Sequence, residues 1–106
     1  MSVFFGGFVM RASGEATLRF YEQIGLTLQQ EQHECGPVHH AHMGSEAVLE
    51  IYPPSTVGDT IILYTLSLDD MEKHLTQLGI VFKRGRVSII LTDPDGRRVM
   101  IAERLP

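Results

Sequence analysis

Gln23-Ile24-Gly25-Leu26 returns late in the chain as Gln77-Leu78-Gly79-Ile80. Each copy reads as the end of a helix and the start of a strand, with a glycine free to take the left-handed conformation that closes a helix. Working outward, Ser13 can cap a first helix in which Ala16, Phe20 and Ile24 share a face, broadened by Leu18 and Tyr21. The second copy ends a helix with capping-box spacing from Asp69 to Glu72 and an apolar stripe of Met71, Leu75 and Leu78.

Strand patterns surround both helices. Residues 4–10 are apolar and aromatic, interrupted by Gly6-Gly7, which marks a bulge or a close backbone approach. Residues 26–32 alternate, and residues 38–43 and 46–52 form a hairpin across Gly44-Ser45. A Pro- and Ser-containing connector, 53–58, precedes strands at 61–68, 80–83, 87–92 and 99–103, the last two joined by the turn Asp93-Pro94-Asp95-Gly96. The order β-α-β-β-β occurs twice. The expectation is one α+β domain over residues 1–106, built from duplicated βαβββ modules at about 1–53 and about 59–106 with curved mixed sheets.

Composition narrows the function classes. A net charge of −4 with nine Lys and Arg argues against a nucleic-acid partner, which requires a basic face to displace counterions. Cys35 is the single cysteine, so neither an intrachain disulfide nor a thiolate zinc cluster can form. No apolar run approaches the length of a membrane span, and no basic region with a cleavage site opens the chain. These features predict a cytoplasmic protein without a membrane partner.

Glu50 is the chemical anomaly, a lone carboxylate inside Ala47-Val48-Leu49-Glu50-Ile51-Tyr52. Such a group needs a partner, a hydrogen bond or a cation. Alternation sets Val48, Glu50 and Tyr52 on one face and Ala47, Leu49 and Ile51 on the other. A two-residue turn at Gly44-Ser45 would set His39 directly opposite Glu50, with Ala41 and Met43 on the same face and His40 and His42 on the other. His39 and Glu50 then make either a dyad that binds a ligand and relays a proton or a cross-strand ion pair. His33, His40 and His42 read as strand-surface or subunit-interface residues, since their spacing fits no zinc pattern, and His74 as solvated.

Three segments together, 20–26, 48–53 and 91–99, resemble the glyoxalase/bleomycin resistance/dioxygenase (vicinal oxygen chelate) superfamily. The resemblance runs through nearly the whole chain. It implies a divalent ion held by four ligands from the first and last strands of the two modules. Glu50 matches one ligand place. The others fall on Phe5-Gly6-Gly7, Ile62-Leu63-Tyr64 and Met100, none of which offers a hard donor. The sequence therefore predicts no cofactor and no metal in that place. The function this implies is a small-molecule-binding protein with a degenerate metal site; the alternative is a lyase or isomerase using His39 and Glu50. Its ligand would lie against Phe5, Phe8, Val48, Tyr52, Tyr64 and Met100, and a homodimer would cover the remaining apolar faces.

Overall fold

The apolar alternation near the start of the chain forms β1 (Val3–Arg11) in the computed structural model, which describes residues 3–12 and 14–104. There follow α1 (Glu15–Gln23), β2 (Gln29–Glu31), β3 (His39–Met43), β4 (Val48–Tyr52), β5 (Thr60–Thr65), α2 (Leu68–Gln77), β6 (Lys83–Arg84), β7 (Ser88–Thr92) and β8 (Arg98–Glu103). The chain divides into two units, residues 7–59 and residues 60–106 together with 1–6. Each unit carries a mixed sheet. The first has the order β2-β3-β4-β1 and the second β5-β8-β7-β6. In each, the strand before the helix lies parallel to the last strand, and the remaining pairs are antiparallel. The duplicated βαβββ order is therefore present as an α+β fold.

Both helices end at the expected glycines, Gly25 at φ 119° and Gly79 at φ 72°, where a side chain would strain the backbone. Their starts, and the face of α1, differ from the expectation. Ser13 lies outside the described residues, and the N-cap of α1 is Gly14, which supplies no side-chain cap. No residue of α1 is buried. Ala16, Phe20 and Ile24 face solvent, and Leu18 and Tyr21 form its half-buried side. The cap of α2 is Ser67, whose hydroxyl accepts from the Asp70 N–H at 3.2 Å. Asp69 instead pairs with Arg84 at 3.2 Å, as does Glu72 at 2.9 Å, tying α2 to β6. Its buried stripe is Leu68, Met71 and Leu75, with Leu78 exposed. Leu68, Met71, Leu75 and Leu78 lie on one helical face, and Leu78 is its exposed C-terminal cap residue.

These residues pack on Ile89 and Ile101, flanked by Leu63, Phe82, Leu91 and Val99. Val9, Ala41 and Ile51 are the buried apolar residues of the first sheet. β2 and β6 are shorter than their apolar patterns suggested because each is an edge strand with one neighbour. No helix among the described residues is long and apolar enough to cross a membrane.

The β7–β8 turn is closed by Asp93, whose carboxylate accepts from the backbone N–H groups of Asp95 at 2.9 Å and Arg97 at 2.8 Å. The Arg97 backbone hydrogen bond, chiefly, holds the Asp93 carboxyl below its ordinary range, with further help from the Arg97 guanidinium. A lowered folded pKa stabilises the fold above the unfolded value near 4, and the contribution disappears as pH falls through the folded value. Asp93→Ala should therefore lower the urea midpoint at neutral pH. The gap from wild type should narrow as pH falls below the ordinary aspartate value; a gap independent of pH would show that the carboxylate charge plays no part.

Candidate functional site

The first sheet brings polar residues into one rung. Arg11 of β1 pairs with Tyr52 of β4, and His39 of β3 pairs with Glu31 of β2. The β3–β4 ladder joins these two halves, because its pairing of His40 with Ile51 sets His39 beside Tyr52. Neighbours on a rung project to the same face. The rings stack accordingly: His39 lies on Tyr52 with centroids 4.0 Å apart and planes 7° from parallel. The Arg11 guanidinium sits 4.9 Å from the Tyr52 ring centroid, a cation–π contact. The His33 ring also packs against His39, with centroids 4.9 Å apart and planes tilted by 33°.

The hairpin differs from the expected register. Its tip is Ser45-Glu46, closed by the Gly44 N–H donating to the Ala47 carbonyl at 2.9 Å. Ala41, not His39, stands opposite Glu50. Moving the tip by one residue shifts the pairing by two, so every side chain keeps its face while its partner changes. His39 reaches Glu50 diagonally, with Nε2 3.7 Å from Oε2. It also lies 3.8 Å from Oε1 of Glu31.

Burial makes this cluster chemically demanding. His39 is 1% exposed, against 21% for the Glu50 side chain and 35% for Glu31. The His39 Nε2 has no hydrogen-bond partner among the described residues, whereas Nδ1 lies 3.3 Å from the Pro37 carbonyl oxygen. Burial first, then the charge and hydrogen bond of Glu50, hold the Tyr52 phenol above its ordinary pKa, with Arg11 acting in the opposite direction. The phenol therefore stays a hydrogen-bond donor to the Glu50 carboxylate.

The other histidines separate. His42 faces away and makes a 3.1 Å hydrogen bond with the Thr27 carbonyl. His40 lines a cleft of about 220 Å³ with Leu18, Ile51 and Val38. His33, read from sequence as a surface residue, is exposed but joins the cluster: one of its ring nitrogens lies within 4.8 Å of donor atoms of Glu31 and His39. Sequence reasoning missed Glu31 and Arg11. Extending the hairpin arithmetic to β2 would have placed Glu31 opposite His39.

Of the apolar candidates, Val48 and Tyr52 share the face of Glu50, whereas Phe8 pairs with Leu49 and takes the opposite face. Phe5, Tyr64 and Met100 belong to the second unit. There Met100 pairs with Ile62, on the face that also carries Tyr64, and Phe5 is exposed. At the ligand places implied by the resemblance, Glu50 is still the sole hard donor. Gly6 leaves no room for a substitute, since a Cβ there would lie 2.5 Å from the Tyr64 ring. These residues do not fit the superfamily's metal.

No family model and no curated protein matches the sequence. Solved structures match the fold. A hypothetical protein of Bacillus halodurans C-125 has a TM-score of 0.75 at 13% identity, covering 100% of this chain and 97% of that one. A methylmalonyl-CoA epimerase from Mycobacterium tuberculosis gives 0.67 at 15% identity, covering 97% and 89%. A glyoxalase/bleomycin resistance protein/dioxygenase superfamily member from Vibrio splendidus 12B01 gives 0.60 at 11% identity, covering 97% and 98%. With its twice-repeated βαβββ order and these neighbours, the chain has the fold of the glyoxalase/bleomycin resistance/dioxygenase superfamily.

Proposed function

We propose that the protein binds a small molecule through Glu50, with His39 and Tyr52 orienting the carboxylate and Val48 supplying an apolar wall. One observation carries the reading. Glu50 stands in an apolar strand, braced by Tyr52 and approached by His39, yet its side chain remains 21% exposed. A carboxylate kept only for structure would be expected to complete its hydrogen bonds within the protein. A partly open carboxylate beside a stacked aromatic pair suits a ligand with a cationic or hydrogen-bond-donating group on an aromatic body.

The test is calorimetric titration of cationic aromatic compounds into wild type and Glu50→Gln. A charge-assisted hydrogen bond contributes about 1.5–3 kcal/mol, so loss of the charge should weaken a genuine ligand about tenfold or more. Equal affinities would remove Glu50 from the binding role.

A further inference from the structure

We propose that Glu31, His33 and His39, with Glu50 as a fourth donor, form a binding site for a borderline divalent transition-metal ion such as Zn2+. Only Glu50 coincides with a ligand place of the superfamily resemblance. The other three donors lie on β2, β3 and the loop between them. The site shares Glu50 and His39 with the small-molecule reading, but the inference concerns the ion alone and is tested separately.

The argument begins at His39. The Pro37 carbonyl can only accept, so in the neutral imidazole its 3.3 Å contact sets the proton on Nδ1 and the lone pair on Nε2. An imidazole N–H held by a backbone carbonyl is also the arrangement that orients metal-bound histidines. The Nε2 is buried without a hydrogen-bond partner, 3.8 Å from Glu31 Oε1 and 3.7 Å from Glu50 Oε2. In that tautomer Nε2 and the two carboxylate oxygens face one another as acceptors, a set that either a proton on Nε2 or a metal ion bridges.

The spacing fits such an ion. Bonds of about 2.0–2.2 Å to imidazole nitrogen and carboxylate oxygen place tetrahedral donors roughly 3.3–3.6 Å apart. The two His39 distances need a contraction of only a few tenths of an ångström. Donor atoms of Glu31, His33 and His39 already lie within 4.8 Å of one another. His33 sits on an exposed loop, closed by the Gly36 N–H donating to the His33 carbonyl at 2.8 Å, and its ring already packs against that of His39, 4.9 Å away. Two imidazoles and two carboxylates favour Zn2+, Co2+ or Ni2+ over Mg2+ or Ca2+, which prefer all-oxygen shells.

The experiment titrates Zn2+ by calorimetry, and Co2+ by visible absorption, into the untagged full chain after chelator treatment. The expected result is one ion per chain, undisturbed by excess Mg2+. His33→Ala alters an exposed side chain and should weaken binding at least tenfold while circular dichroism stays unchanged. His39→Gln should weaken it further, and His74→Ala on α2 should leave it intact. Absence of stoichiometric Zn2+ binding, or equal affinity in His33→Ala and wild type, overturns the inference. Zn2+ binding by a chain that takes up no organic ligand upholds this inference and sinks the small-molecule reading. Ligand binding without Zn2+ binding does the reverse.

Discussion

Gly7→Ala is expected to destabilise the protein by about 3–5 kcal/mol, combining backbone strain with overpacking. Gly7 has φ 146°, and a Cβ there would lie 2.1 Å from the Val48 carbonyl oxygen and 2.9 Å from the Val48 nitrogen. Both obstacles are backbone atoms of the neighbouring strand, so no rotamer change relieves the clash. The β1–β4 pairing itself must part, and the rung that stacks Arg11 on Tyr52 goes with it. Gly14→Ala is the matched control, with φ 176° and nothing within 4 Å of the new methyl group. Urea denaturation monitored by circular dichroism should separate the two variants clearly. Equal midpoints would mean that β1 can shift away from β4 at little cost. A domain of this size has about 5–15 kcal/mol in total, so Gly7→Ala could approach the limit of foldability.

Ile89→Ala is expected to cost about 2–5 kcal/mol. Ile89 is 0% exposed at the centre of the Leu68, Met71, Leu75 and Ile101 cluster. Helix α2 above and the sheet below hold the cavity open, which places the expected cost in the upper part of that range. Leu18→Ala, on the half-buried side of α1, should cost less than half as much, because α1 has no buried residue. Denaturant midpoints with unchanged slopes provide the measurement. A Leu18→Ala loss equal to that of Ile89→Ala would contradict the asymmetry between the two helices.

That asymmetry also shows where sequence reading succeeded and failed. Both glycine-terminated helices, the Asp93–Gly96 turn and the order of elements along the chain were legible because each rests on a local rule of backbone conformation or apolar period. The inward face of α1 was not. The stripe Ala16-Phe20-Ile24 is a valid helical spacing, yet the half-buried side of α1 is the one that carries Leu18 and Tyr21, whereas in α2 Met71 and Leu75 are buried as their spacing suggested and only Leu78 is exposed. Period defines which residues share a face, while packing selects the face that is covered. Likewise the face assignment of Glu50 survived a turn displaced by one residue, whereas its opposite partner did not.

The sequence by itself determined the duplicated βαβββ order, the isolation of Glu50 in an apolar strand and the shortage of hard donors at the other implied ligand places. Those follow from residue identity and short-range periodicity. Only the tertiary structure decided that Glu31, His33, His39, Glu50 and Tyr52 meet at one end of the first sheet. The physical reason is that cross-strand register, set by turns and by strand order, brings together residues from β2, β3, β4 and a loop. A period of two along any one strand carries no information about which rung of the next strand it will meet.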